Sequence, residues 1–322
     1  MILTVTSNPC VDKTVYIDAL NPGAKIRAPR FACVAGGKGV NVSRAAKALG
    51  YDTAALVVVG GHTGHHVVDM IQREDGVRCV PVWVSGTTRT ITTLLEEPVH
   101  RQTAIFEPGP CLSEAEQTAL LAAFDAVLPE AHVVTCNGAV SHPGLRGLYR
   151  ELIGRANRAG VKTILDSYGP EFDEGLDARP TMVKPNVEEA AQYLGRSLDT
   201  DPDRWAAIDA FHERGVALVI LSLGAQGAMV SLNGERLHVV PPAIEEVNAV
   251  GSGDALVAGF AIGLMEDWPL ERMARMAVAA GTANAMSWEI GHFERSEVER
   301  IAGEVGIVTL TGSPPDLSFR RM

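Results

Sequence analysis

A doubly wound, mainly parallel α/β sheet flanked by helices, with a small discontinuous β-sheet attached, is predicted by three observations. Short apolar runs rich in β-branched residues alternate with Ala- and Leu-rich stretches of helical spacing. The apolar runs are continuous rather than alternating, as strands buried on both faces require. Two stretches break this rhythm with strand-like runs and no covering helix.

Met1–Thr6 reads as the first strand: it has no basic start and no small-residue cleavage site, so it is not read as a signal peptide. Ala54–Val59, Val133–Cys136, Lys162–Leu165 and Ala217–Leu221 are the other candidate buried strands. Val42–Leu49, His65–Arg73, Glu114–Val127, Leu145–Ala159, Val187–Leu194 and Arg204–Arg214 carry apolar residues at helical spacing. The rhythm fails at Val11–Ala35 and over 84–107. There Thr14–Ile17, Arg30–Val34, Thr88–Leu95 and Gln102–Phe106 predict a small antiparallel sheet standing off the main one. One of its faces must be buried, either over a substrate cleft or against another molecule. We read 1–322 as one domain carrying this lid, with 311–322 as a flexible tail.

The chain has 322 residues, 46% of them hydrophobic and 21% charged, and a net charge of −11. No Lys/Arg-rich run is present, which argues against nucleic acid as a partner. Ala255–Met265 is apolar but too short to span a bilayer, and no membrane association is expected. The five cysteines are scattered without a CxxC pair, as expected of reduced thiols in a cytoplasmic protein. The histidines show no metal-ligand spacing with carboxylates.

Two glycine-rich turns carry the chemistry. Gly251-Ser252-Gly253-Asp254 opens an apolar helix. Its glycines permit a tight turn, and exposed N–H groups at a positive helix end make an anion pocket. Asp254 is open to two readings. It is a first-turn acid stabilised by the helix dipole, or it takes a proton from a hydroxyl while the N–H groups hold a migrating phosphoryl. Gly36-Gly37-Lys38-Gly39-Val40-Asn41 joins a strand to a helix. It is not a Walker A loop, since Gly39 follows the lysine. Its glycines admit a ligand, and Lys38 and Asn41 could hold hydroxyls or a phosphate. Gly60, Gly61 and Gly64 complete no dinucleotide fingerprint, which argues against an oxidoreductase.

Together these segments resemble the ribokinase-like carbohydrate kinases, and within them the 1-phosphofructokinase and tagatose-6-phosphate kinase branch. The resemblance runs from about residue 2 to residue 306 and includes Asn8-Pro9-Cys10-Val11-Asp12 as well as both glycine turns. It implies transfer of the ATP γ-phosphoryl, with Mg²⁺, to a sugar hydroxyl. Asp254 would be the base and Gly251, Ser252 and Gly253 the anion pocket. Asn8, Asp12, Gly36, Gly37, Lys38, Asn41, Arg89, Glu107 and Asn137 would face the sugar, with Arg27 reaching in from a partner's lid. Lys184, Asn186, Ser222, Gly224, Gly227 and Asn284 would hold the nucleotide, Asn284 in the adenine slot. Glu189 and Asp166 would order water around the metal. Lids of this kind imply a homodimer.

Three departures concern the acceptor. Arg89 is followed by Ile91, Thr92 and Thr93, where the branch places Asn and a basic or polar residue. Arg101 is the candidate substitute for the lost cation. Glu107 replaces an uncharged residue, and a carboxylate beside a substrate phosphate would cost about 1–4 kcal/mol. Asn137-Gly138-Ala139-Val140-Ser141-His142 replaces a shorter Ser-Gly-Ser loop. The resemblance makes a sugar phosphate the expected acceptor, while the altered residues Ile91–Thr93 and Glu107 favour the alternative, a free sugar or polyol. A non-catalytic sugar-binding role is disfavoured by the intact glycine turn.

Overall fold

The computed structural model describes residues 1–309 apart from His100, so the expectation for 311–322 lies outside the described residues. Seven parallel strands make up most of a ten-stranded sheet. They are β1 (Ile2–Thr6), β4 (Thr53–Val59), β5 (Arg78–Trp83), β8 (Val133–Asn137), β9 (Lys162–Asp166), β10 (Met182–Val183) and β11 (Leu218–Ser222). The order is β11-β10-β9-β8-β1-β4-β5. Beyond β11 the sheet turns antiparallel through β12 (Ala228–Leu232), β13 (Glu235–Val240) and β14 (Gly306–Thr309). That edge is absent from the sequence reading, because β12 and β13 follow β11 through tight turns with no α-helix between them, and β14 is only four residues long, reached after three helices.

Every residue of β1 and β4 is buried, as strands sandwiched between helical layers must be. One face carries α1 (Lys38–Ala48), α2 (Gly61–Asp69), α8 (Ser252–Met265), α9 (Leu270–Ala285) and α10 (Arg295–Glu304). The other carries α3 (Glu114–Val127), α4 (Leu148–Arg158), α5 (Pro170–Leu176), α6 (Val187–Leu194) and α7 (Asp201–Glu213). The glycines of the apolar stretch 255–265 serve packing: a Cβ on Gly259 would lie 2.4 Å from Ala277 Cα of α9. Among the described residues no helix is long and apolar enough to cross a membrane.

A separate four-stranded sheet is built from β2 (Cys10–Ile17), β3 (Arg30–Gly36), β6 (Arg89–Glu96) and β7 (Arg101–Phe106) in the order β3-β2-β6-β7. The expectation of an antiparallel sheet needs correction, since β2 and β6 pair in parallel, Cys10 beside Arg89. The reason is topological. β1 and β5 run parallel in the main sheet, and each hands the chain outward from the same end. Gly60 serves this junction: its N–H donates to Thr88 Oγ1 at 2.9 Å, and a Cβ there would meet the Gly86 carbonyl at 1.9 Å. Phe31, Ile105 and Phe106 of the small sheet are exposed.

The strand sequence reverses direction around β1: the chain moves from β1 to β4 and β5 on one side, then returns to β8 on the other. A crevice outside the carboxyl ends of strands opens at such a point.

Candidate active site

Two helix N-termini converge on this crevice. Helix α1 starts after Gly37 (φ 121°) and α8 after Gly251 (φ 81°), backbone conformations that side chains resist. Neither position has room for one. A Cβ on Gly37 would lie 2.6 Å from Thr6 Cγ2, and one on Gly251 would lie 2.3 Å from Ile290 Cγ2. Between the two ends, Asn41 Nδ2 donates to Asp254 Oδ2 at 2.8 Å. Asp254 is buried, and its other oxygen takes no hydrogen bond from the described residues. The N–H groups of Gly251 and Gly253 likewise find no acceptor among the described residues, so the positive end of α8 is left open to an anion.

Beside this turn lies a second carboxylate. Asp166, at the end of β9, is fully buried, and its Oδ1 lies 3.2 Å from Lys184 Nζ and 3.4 Å from Lys38 Nζ. Burial opposes its ionisation, but Lys184 and Lys38 outweigh burial and hold the carboxyl below its usual range. Its Oδ2 has no partner among the described residues. Asp254 moves the opposite way. Burial first, and then the charge of Asp166, push it up to about 6, against the pull of Lys38, Asn41 and Lys184. Lys38 is raised, mainly by Asp166 and despite its own desolvation. Two carboxyls driven apart in this way are suited to different tasks, one as fixed charge and one as proton acceptor.

On the small-sheet side, buried polar atoms lack partners among the described residues: Asn8 Oδ1, Arg89 Nε, Ser141 Oγ and both amide atoms of Asn137. Such groups are costly to leave unsatisfied, and their gathering at strand ends suits a polar ligand. Arg89 Nη2 donates to the Asn8 carbonyl at 3.1 Å. Asp12 packs on Gly36, where a Cβ would lie 2.9 Å from Asp12 Cβ. Burial pushes Asp12 up, opposed by Arg44 and Arg89.

On the far side of α8 a cleft of about 590 Å³ runs past Asn186, Ser222, Gly224 and Gly227 to Ser252 and Gly253. Leu256, Val278 and Ala285 give it an apolar wall, and Gly281 keeps it narrow, its hypothetical Cβ 3.0 Å from the Ser252 carbonyl. An apolar slot ending at unpaired helix donors fits a flat base with a polyphosphate tail. Gly227 (φ 86°) holds the rim in place, and a Cβ there would overlap the Val239 carbonyl at 1.9 Å. Gly227→Ala should therefore raise KM for the nucleotide about tenfold or more while leaving KM for the acceptor nearly unchanged, as initial rates with each substrate varied in turn would establish. An unchanged nucleotide KM would remove Gly227 from the cleft's working parts.

For a divalent cation, no cluster of three His, Cys, Asp or Glu is present among the described residues. Asn186 and Glu189 form a capping box on α6, Glu189 Oε2 accepting from Asn186 N–H at 2.9 Å and Asn186 Oδ1 from Glu189 N–H at 2.8 Å. The unpartnered Asp166 Oδ2 and the remaining oxygen of Glu189 are the donors left for an ion. This set fits Mg²⁺ held largely by water and substrate phosphate.

Some expected residues lie apart from this centre. Asn284 does not line the cleft. Its Nδ2 donates to the Val250 carbonyl at 2.8 Å and its Oδ1 accepts from Gly291 N–H at 2.7 Å, so it braces the glycine turn from behind. Glu107 is exposed and its carboxylate accepts the Thr90 N–H at 2.8 Å, closing the end of the β6–β7 pair. Arg101 is spent on Glu96, its Nη2 2.7 Å from Oε1. Arg27 is exposed in the loop between β2 and β3. Sequence reasoning missed Ser141, and it missed Arg44, which holds Asn41. An arginine three residues after Asn41 on the same helix face was the available signal.

A family profile described as pfkB family carbohydrate kinase matches residues 5–287. A tagatose-6-phosphate kinase of Staphylococcus epidermidis is 31% identical over 311 residues, covering 96% of this chain and 99% of its own length. Phosphofructokinase-2 of Escherichia coli, solved with fructose-6-phosphate, superposes with a TM-score of 0.83 at 28% identity, covering 94% of this chain and 98% of that one. The same enzyme solved with potassium gives a TM-score of 0.87 at the same identity and coverage.

Proposed function

This chain belongs to the pfkB family of carbohydrate kinases, and from that premise we propose that it moves the γ-phosphoryl of ATP to a hydroxyl of a hexose phosphate. The acceptor is of the tagatose 6-phosphate or fructose phosphate type, the substrates named for its relatives. The observation that carries this reading is the opposed pair of carboxyls beside an open helix end. Asp254 Oδ1 takes the acceptor's proton as the hydroxyl attacks in line. The N–H groups of Gly251 and Gly253, with Ser252, hold the phosphoryl oxygens, and Lys184 and Lys38 balance their charge. Mg²⁺, when bound, supplies further charge neutralisation on the phosphates. Lys184, Asn186, Ser222, Gly224 and Gly227 line the nucleotide's path, while Asp166 and Glu189 order the water that reaches it.

On the acceptor side, Asn8, Asp12, Gly36, Gly37, Asn41 and Asn137 surround the sugar, and Arg89 reads the phosphate it already carries. The chain acts as one catalytic unit, with 11–35 and 84–107 as a lid over the crevice. The exposed Phe31, Ile105 and Phe106 support pairing of two lids in a homodimer, which would bring Arg27 of one copy toward the other's site. Cytoplasmic placement agrees with five cysteines free of disulfides.

An ADP-release assay with Mg-ATP tests the reading. Tagatose 6-phosphate, fructose 6-phosphate and fructose 1-phosphate would be compared with free tagatose, fructose and ribose. At least one phosphate should exceed every free sugar by about 100-fold in kcat/KM, the worth of a charge-assisted contact to the phosphate. Turnover confined to free sugars would overturn the acceptor and leave the phosphotransfer standing.

A further inference from the structure

Arg44 lies on α1 one turn beyond Asn41, with 3% of its side chain exposed. Its ion-pair partner is Asp75, 5% exposed, just past the helical turn that continues α2. The pair is bidentate: Nε donates to Oδ1 at 2.6 Å and Nη2 to Oδ2 at 2.9 Å. Burying two charges so deeply brings little net stability over an apolar pair, so its position asks for another reason. The remaining hydrogens of Arg44 supply one. Nη1 donates to Asn41 Oδ1 at 3.0 Å and to the Ile290 carbonyl at 3.4 Å, and Nη2 donates to the Ala35 carbonyl at 2.6 Å.

A guanidinium has only donors. It therefore dictates which end of the Asn41 amide faces it: Oδ1 must turn to Arg44, and Nδ2 is left facing Asp254. That is the hydrogen bond found at 2.8 Å. With Oδ2 of Asp254 so engaged, Oδ1 is the oxygen presented to the crevice. Arg44 also reaches the stem of the small sheet through Ala35, and the backing of the phosphate turn through Ile290, whose Cγ2 crowds Gly251. Gly291 (φ 73°) leaves room for the arginine stem, as a Cβ there would lie 3.1 Å from Arg44 Cδ.

We infer that Arg44, held by Asp75, is a positioning residue that fixes the Asn41 amide and thereby aims Asp254 at the acceptor. This rests on Asp254 being the proton acceptor. Removing Arg44 alone would strand a buried carboxylate, so the informative variants are the paired Arg44→Leu/Asp75→Leu and the charge-keeping Arg44→Lys. A lysine can answer Asp75 but cannot fork to Asn41 as well. In full-length enzyme with Mg-ATP and its best sugar phosphate, each should lower kcat about 10- to 100-fold, with both KM values within about twofold. Adding Asn41→Ala to Arg44→Leu/Asp75→Leu should cost little more, since the amide is already released, whereas Asn41→Ala alone should cost about as much as the pair.

Folded variants within twofold of the wild-type kcat would overturn the inference. So would an Asn41→Ala loss of equal size in both backgrounds. An active Asp254→Asn would remove the base and this inference together. An inactive Asp254→Asn beside unaffected Arg44 variants would remove only the inference.

Discussion

Asp254→Asn is expected to lower kcat by about 10²- to 10⁴-fold and, at neutral pH, to make the protein more stable. The two effects share one cause. Asp254 is buried near the charge of Asp166, which pushes its carboxyl from 3.8 up to about 6. The folded chain thus holds the Asp254 proton more tightly than the unfolded chain does. The stability tied to this group is fully present below about pH 4 and is lost as pH rises through about 6. An uncharged asparagine has nothing to lose over that window. The variant should exceed wild type by up to about 3 kcal/mol at pH 8, and by roughly half of that at pH 5. Denaturant melts at the two pH values, beside a turnover assay, read both halves. Loss of turnover with no pH-dependent gap in stability would mean that the carboxylate is not strained as its surroundings imply. Retained turnover would end the base assignment.

Arg89→Ala should cut kcat/KM for a sugar phosphate by about 100-fold and change that for a free sugar less than about threefold. Arg89 enters from the first residue of β6, beside Cys10, and spends one nitrogen on the Asn8 carbonyl. Its Nε remains buried and without a partner among the described residues. Neither Glu107, Arg101 nor the Ile91–Thr93 segment offers a second cation at this spot: Glu107 is tied to Thr90, Arg101 to Glu96, and Ile91 is apolar. The effect of Arg89 should therefore be large rather than shared. Equal losses on phosphorylated and free acceptors would show that it braces Asn8 instead of reading a phosphate.

Much of the architecture was legible because its signals are local. The continuous apolar run of β4 and the helical spacing of α3 and α6 mark their own elements. The two glycine turns were legible for the same reason, since their conformations belong to residues 37 and 251 alone. What escaped depends on partners far along the chain. The parallel pairing of β2 with β6 follows from the direction of β1 and β5, which no window of sequence contains. Asn284 has the polarity of a ligand contact, yet Val250 and Gly291 absorb its amide. Arg44 reads as an ordinary helix arginine until Asp75, Ala35 and Ile290 are brought around it. Glu107 reads as a candidate for the sugar only while the Thr90 N–H beside it is unseen.

The interleaving of the small sheet also sets an order of events during synthesis. Residue 10 must wait for residue 89, and everything from α1 through β5 emerges between them. Until then β2 and β3 exist as a lone antiparallel pair, which is marginal in water, with the β2 edge that will receive β6 unpaired. Pairing over such a distance is slow because the intervening chain must first be organised. The half-made chain therefore passes through an interval in which a strand edge is open to other chains, and the rate at which β5 and β6 arrive decides how long that hazard lasts.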